Sequence, residues 1–376
     1  MAPTPASPHA ADPIPLSPVD ARLLDAPPVL ALVRLDRELP TDAVRGAFLR
    51  HAPRRFTAAV DERVDPPVLL PGRGTPGFAT HDLAPEALDA LLGVGVPVAD
   101  LARIGLGDAP ALPTLCTLVH LRVPGGDALA LRLSHAAGDG MSLLRMLGAI
   151  AGELDGAPDD DGRARPTAAT HPGAPPAVGS AAGAGDRWLS VLPLSRACLD
   201  ELDALAAERP DLSATMRRMA VLARRIALLV HAPEDGLRVR IPVDLRHRGL
   251  GIPTDAVGNH WFDALAVLRG PLAALPPAGE LAATLAEAVG ATAAGFVPGD
   301  VEHVADRSLR LTREVPTVPL QRGVDLVHSA LPVPRWPGVR ELLLAGSASF
   351  GVVDVRGSDR VPLVTPRPLP DGVREL

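Results

Sequence analysis

Leu131-Arg132-Leu133-Ser134-His135-Ala136-Ala137-Gly138-Asp139-Gly140 is the stretch whose reading decides the fold. Ala128 to Ser134 alternates as a strand does, and Pro124-Gly125-Gly126-Asp127 is a hairpin turn joining it to a second strand at Leu115 to Val123. After the glycines, Met141 to Leu154 repeats apolar residues at helical spacing. Strand, histidine, Gly-Asp-Gly turn and helix thus follow one another, which fixes a histidine at the end of a rigid element. A neutral imidazole, with an ordinary pKa of about 6.5, can take a proton from a hydroxyl or an amine once its orientation is set. The bland alternative is a packed, hydrogen-bonded histidine in a strand-to-helix joint, and the stretch alone does not remove it. His135 and Asp139 have the i, i+4 spacing of a helical metal pair. Gly138 and Gly140 interrupt any helix there, however, and no third ligand stands at a metal-like spacing, so no metal is expected.

The chain around this joint has 376 residues, enough for two domains or one large one. Aromatic residues make up 2%, so the core is built from Leu, Val and Ala. A net charge of −7 argues against a nucleic-acid surface. There is no Lys and no Tyr, one Asn (Asn259) and one Gln (Gln321), so every basic side chain other than histidine is Arg. This bias fits a GC-rich coding sequence. It strips meaning from Ala- and Pro-rich stretches and lends weight to rare residues. Cys116 and Cys198 give neither a disulfide framework nor a metal spacing. Met1 to Pro18 lacks the basic and apolar regions of a signal peptide, and no apolar run approaches the ~18–20 residues of a membrane helix. A cytoplasmic protein is expected.

Residues 1–15 read as disordered. Val29 to Leu35 is a buried strand, and Thr41-Asp42 caps a helix running to Arg50. Arg54 to Gly77 reads as extended and loop-like, and Pro85 opens a helix to Leu92. The composition breaks between Asp155 and Asp186, which suggests a crossover linker at 156–186 between domains at 16–155 and 187–376. Beyond it, Trp188 to Leu194 is a strand. Ser195 caps a helix to Glu208, and Leu212 to Val230 is another. Leu237 to Val243 and Trp261 to Leu268 are strands, and helices follow at 280–294 and 301–311. Strands are expected at Val324 to Ser329, Arg340 to Ala345, Phe350 to Val355 and Val361 to Thr365. Both halves mix strands and helices, which makes the chain α/β (mixed α+β).

His-Ala-Ala-Gly-Asp-Gly, 135–140, matches the His-x-x-x-Asp-Gly motif, and in its strand-turn-helix setting it resembles the chloramphenicol acetyltransferase-like superfamily. That group includes BAHD acyltransferases, condensation domains of nonribosomal peptide synthesis and wax ester synthases. A second match is Pro242-Val243-Asp244-Leu245-Arg246-His247-Arg248 followed by Ala256-Val257-Gly258-Asn259, similar to the BAHD Asp-x-Arg … Gly-Asn segment. The only asparagine falls on this Asn. Leu16-Ser17-Pro18-Val19-Asp20 resembles the Leu-Ser-x-x-Asp opening of the same proteins, and Val327-His328-Ser329-Ala330-Leu331-Pro332 the Ser-x-x-Pro strand of condensation-like members. The resemblance runs over nearly the whole chain. Ser349-Phe350-Gly351-Val352-Val353 departs from the BAHD Asp-Phe-Gly-Trp-Gly motif, which puts the subfamily in doubt.

The resemblance implies two chloramphenicol-acetyltransferase-like domains with a channel between them and His135 at its middle. His135 is then the general base, acting without a covalent intermediate. Asp139, before Gly140, turns away from substrate and pairs with Arg246; an ordinary surface ion pair is the alternative for Arg246. Ser329 is the candidate oxyanion donor, or else a strand hydroxyl bonded to backbone. Asn259 orders the channel wall or the following loop, or is simply a turn residue. Ser134 replaces the second histidine usual in peptide-forming condensation domains, which tilts away from them. No cofactor is bound and acyl-CoA is the co-substrate. The partner is a small-molecule acceptor, a specialised metabolite in class, acylated on oxygen or nitrogen by a monomer. Two other readings remain: a condensation-type enzyme taking its donor from an acyl carrier protein, and a non-catalytic binding member of the same fold.

Overall fold

The computed structural model describes residues 12–17, 20–21, 23–24, 26–104, 114–155, 187–230, 237–246, 252–268, 275–294, 324–331, 336, 338–346 and 350–376. The expected linker at 156–186, the helix at 301–311 and residues 1–11 lie outside them.

The N-terminal half runs β1 (Ile14–Pro15), β2 (Val29–Leu35), α1 (Thr41–His51), β3 (Ala58–Asp61), β4 (Val68–Pro71), β5 (Gly77–Asp82), α2 (Pro85–Leu91), β6 (Val96–Pro97), β7 (Cys116–Arg122), β8 (Ala128–Leu133) and α3 (Gly140–Leu154). The C-terminal half begins with β9 (Trp188–Pro193), α4 (Arg196–Glu208), α5 (Ala214–Leu229), β10 (Leu237–Asp244) and β11 (Trp261–Leu268). It continues with α6 (Ala278–Ala294), β12 (Val324–Leu331), β13 (Val339–Ala345), β14 (Gly351–Val355) and β15 (Arg360–Thr365). Among the described residues, no helix is long and apolar enough to cross a membrane.

Two large sheets carry the fold, in the orders β13-β2-β8-β7-β5 and β11-β10-β12-β14-β15-β9-β6. The first is covered on both faces, which is why β7 and β8 read as near-continuous apolar runs. Leu129, Leu131 and Leu133 pack under α1 and α3, while Ala128 and Ala130 meet Leu189, Val191 and Val364 of the second sheet. β10 alternates instead. Leu237, Val239, Ile241 and Val243 enter the core made with α4, α5 and α6, and Arg238, Arg240, Pro242 and Asp244 take the other face. That polar face meets the N-terminal half.

The halves exchange strands across the division expected at 156–186. β13 pairs antiparallel with β2, and β6 pairs with β9. Pairing between strands so distant in sequence leaves no local trace in composition. The expectation of disorder through residue 15 is corrected: Ile14 and Pro15 pair with Leu69 and Val68, and Ile14 packs on the N-terminal core. The stretch 54–77 likewise holds β3 and β4 rather than only loop. Thr41 does not cap α1; Pro40 is the N-cap and no side chain bonds there. Ser195 does cap α4, accepting from the Cys198 amide at 3.1 Å.

The hairpin between β7 and β8 is tied by Asp127, whose carboxylate accepts from the amides of Val123 and Leu39 and meets His120 Nε2 at 2.9 Å. Gly125 and Gly126 adopt φ of 81° and 153°, and a Cβ on Gly126 would stand 2.5 Å from the Leu35 carbonyl oxygen. The turn after His135 uses glycine differently. Neither Gly138 nor Gly140 has positive φ; a Cβ on Gly138 would approach the Phe56 ring at 3.0 Å, and one on Gly140 the Leu331 Cδ1 at 3.1 Å. Close approach, not backbone handedness, requires glycine there.

Candidate active site

Strand β8 ends at Leu133, and the Ser134 amide bonds back to the Leu115 carbonyl at 2.7 Å. One turn follows, closed by the Ala137 amide on the Ser134 carbonyl at 2.9 Å, with Ala136 and Ala137 fully buried. Asp139 then caps α3, accepting from both the amide and the hydroxyl of Ser142 at 2.9 Å. The two polar side chains of the turn thus point to different partners, and their environments differ.

Asp139 is saturated. Its Oδ2 receives Arg246 Nη1 at 2.9 Å and its Oδ1 receives Arg246 Nη2 at 3.1 Å, a bidentate pair. The His260 amide adds a bond to Oδ2 at 3.2 Å. Every guanidinium nitrogen of Arg246 is engaged in turn. Nε donates to the Ala256 carbonyl, Nη1 also to Asp244, and Nη2 also to Ser142 Oγ and the Gly258 carbonyl. Burial alone would raise the Asp139 pKa, but the charge and hydrogen bonds of Arg246 and the bonds from Ser142 hold it below the usual carboxylate range. Asp139 heads α3 and Arg246 follows β10, so the pair joins the two halves.

His135 is half-buried and is held from one side only. Its Nδ1 lies 3.1 Å from Asn259 Oδ1. The amide orientation is fixed by its surroundings. Asn259 Nδ2 faces two oxygens, Asp20 Oδ1 at 2.7 Å and the His135 carbonyl at 2.6 Å, so it is the donor end. Oδ1 also receives the indole N–H of Trp261, which can only donate, at 3.3 Å. Nδ1 of His135 therefore carries the proton and Nε2 the lone pair. Among the described residues no group bonds Nε2, and Nε2 is not among the sealed, unsatisfied atoms. Burial lowers the imidazole pKa below 6.5, against opposing contributions from its own backbone carbonyl, Asp139, Asn259 and Asp20. Neutral imidazole is the form favoured at neutral pH.

Arg55 backs this arrangement. Its Nε and Nη2 donate to the carbonyls of Ala137 and Ala136, at 2.8 and 3.1 Å, and Nη2 meets Asp20 at 2.5 Å. The chain Arg55–Asp20–Asn259–His135 thus fixes the ring and its peptide. The indole of Trp261 lies beside the imidazole, ring centres 6.2 Å apart and tilted by 51°.

Four of the singled-out residues, His135, Asp139, Arg246 and Asn259, meet in one network, and Gly140 gives the first helical residue beneath it. Ser329 is half-buried on β12, on the strand face shared with Leu331, which approaches Gly140; it makes no described contact with His135. Ser349, Pro332 and His247 fall outside the described residues. Among the described residues, no group of His, Cys, Asp or Glu could hold a metal ion. Arg55, Trp261 and Ser142 were not singled out. Asp20 belongs to the Leu-Ser-x-x-Asp stretch, and no motif in the sequence marks Arg55.

No protein-family model and no curated protein matches the sequence. Solved structures do match. Vinorine synthase superposes with a TM-score of 0.64 at 16% identity, over 96% of this chain and 91% of its own. The first condensation domain of the CDA synthetase gives 0.63 at 16%, over 95% and 90%. TRI101 of F. sporotrichioides, solved with coenzyme A and T-2, gives 0.61 at 12%, over 94% of each chain. The fold is therefore the one shared by vinorine synthase, the CDA condensation domain and TRI101, built here as two mixed α/β halves.

Proposed function

We propose that this protein moves an acyl group from acyl-CoA to a hydroxyl or amine of a small-molecule acceptor, with His135 as general base. The observation that carries the reading is the one-sided clamp on His135: Nδ1–H is fixed to Asn259 and the Nε2 lone pair is free. An acceptor O–H or N–H gives its proton to Nε2 while its heteroatom attacks the thioester carbonyl carbon. The tetrahedral intermediate collapses as the carbon–sulfur bond breaks, and the leaving thiolate takes the proton from Nε2–H. No covalent enzyme intermediate forms. Ser329 would donate to the developing oxyanion. Asp139 and Arg246 brace the turn and the two halves, and the donor and acceptor enter a channel between those halves. Coenzyme A phosphates would be met by arginines or backbone amides, since the chain has no lysine. Support comes also from the fold shared with TRI101, which was solved with coenzyme A.

The test follows free thiol. Acyl-CoA should release thiol only when an acceptor is present, and His135→Ala should abolish the release. Full activity in that variant would remove His135 from the chemistry. Turnover of carrier-bound acyl groups with none of free acyl-CoA would instead make this a condensation-type enzyme.

A further inference from the structure

Asp263 plays no part in the network just described, yet it stands next to it. Along β11, Ala264 and Ala266 enter the C-terminal core, so Trp261 and Asp263 share the opposite face. Trp261 is the residue beside the His135 ring, and Asp263 follows it by two positions, about 7 Å along a strand. Asp263 is 7% exposed. A carboxylate at that depth needs a partner. It has one, Arg240 on the adjacent strand β10, which bonds only Oδ2 and through a single nitrogen. Oδ1 accepts no hydrogen bond among the described residues, although a guanidinium fork could have served both oxygens. Burial pushes the Asp263 pKa up, while Arg240 and His135 pull it back, so the carboxylate stands within electrostatic reach of the histidine.

A half-bonded buried carboxylate beside a free imidazole lone pair needs a reason, and a bound substrate supplies one. We propose that Asp263 Oδ1 accepts a hydrogen bond from a second hydroxyl of the acceptor, so that the reacting group is set at His135 Nε2. This inference rests on the acyltransferase reading above. Arg240 holds the carboxylate still and balances its charge. The site therefore matches a neutral donor, and an ammonium group would bring a second cation against Arg240. The indole of Trp261, beside the imidazole and on the same strand face as Asp263, gives the carbon skeleton an apolar wall. The acceptor class is a molecule with two hydroxyls on one compact carbon frame. Asp263 is a specificity-determining residue and Arg240 its positioning residue.

The experiment compares cyclohexanol, its vicinal diol and the matching amino alcohol as acceptors, with acetyl-CoA as donor and free thiol as the readout. Wild type should favour the diol over cyclohexanol by about tenfold in kcat/KM, the worth of one hydrogen bond to a charged group. Asp263→Ala should bring that ratio to about one, chiefly through the KM of the diol, and Asp263→Asn, which keeps an acceptor oxygen, should restore part of it. Because Asp263→Ala strands Arg240, the folded control is Asp263→Ala with Arg240→Leu, which should show the same lost preference. An unchanged ratio in both alanine variants overturns the inference, as does a wild-type preference for the amino alcohol. Turnover of cyclohexanol without any diol preference overturns it too while leaving the acyltransferase reading standing. Thiol release from none of the acceptors would count against both.

Discussion

Two side chains four residues apart in one turn are treated in opposite ways. Asp139 is bonded at both oxygens by Arg246, Ser142 and the His260 amide, and none of its acceptor capacity faces open space. His135 is fixed through Nδ1 and left free at Nε2. A saturated polar group can only hold structure, because each of its bonds is already committed. A group oriented on one side and vacant on the other is what proton transfer needs. The difference assigns structure to the aspartate and chemistry to the histidine, although both belong to one sequence motif.

The comparison can be broken in several ways. The largest effect should come from His135→Ala, which removes the vacant lone pair. Acyl transfer should fall about a thousandfold, the scale of general-base catalysis, with little change in thermal unfolding. Arg246→Ala attacks the other side of the comparison. It leaves Asp139 buried without its counter-charge and should cost about 3–5 kcal/mol in denaturant unfolding. A loss below about 1 kcal/mol would make the pair no more than a surface contact.

A second histidine widens the contrast. His328 is fully buried and neither ring nitrogen is bonded; burial, with Arg218 nearby, drops its pKa to about 4, against an opposing pull from Asp354. Above pH 6.5 it is neutral in both the folded and the unfolded chain. Between about 6.5 and about 4 the unfolded chain takes the proton first, so stability falls with falling pH, by roughly 3 kcal/mol in all. His328→Leu should flatten this part of the pH–stability curve without moving the activity profile.

The smallest effect concerns how His135 is held. Asn259→Ala removes the partner of Nδ1 and should lower kcat about tenfold to a hundredfold, with a smaller change in KM. The hydrogen bond that Nδ1–H donates to Asn259 Oδ1 raises the imidazole pKa, so its loss should also move the acid limb of kcat/KM, already below pH 6.5, further down. A merely structural asparagine would leave that limb in place.

How much of this was legible depended on whether a signal was local. Strands β7 and β8, their hairpin and α3 could be read directly, since alternation, two glycines and helical spacing lie side by side in 115–154. The placement of β13 in the N-terminal sheet could not, because the strand's own residues say nothing of a partner some three hundred positions earlier. β3 and β4 were hidden because each is a run of four residues with little alternation, set among Arg- and Pro-containing segments. At the site, the Asp139–Arg246 contact followed from the resemblance carried by the motifs, and Asn259 drew attention by being the only asparagine. Its bond to Nδ1 was not expected, nor was the support from Arg55, which sits in an unremarkable Pro-Arg-Arg run. Asp263 was invisible for the same reason: its meaning comes from Trp261 and Arg240, which only the sheet register brings beside it.

The central claim is tested most directly by measuring acyl transfer in two variants of the same turn. One is His135→Ala. The other is Asp139→Asn with Arg246→Met, which removes both buried charges together, leaves unpaired only the part-exposed Asp244 and keeps an oxygen to cap α3. With both proteins folded, the paired variant should keep its rate to within about tenfold of wild type while His135→Ala loses about a thousandfold. Equal losses in the two, or a fully active His135→Ala, would contradict the division of labour between Asp139 and His135.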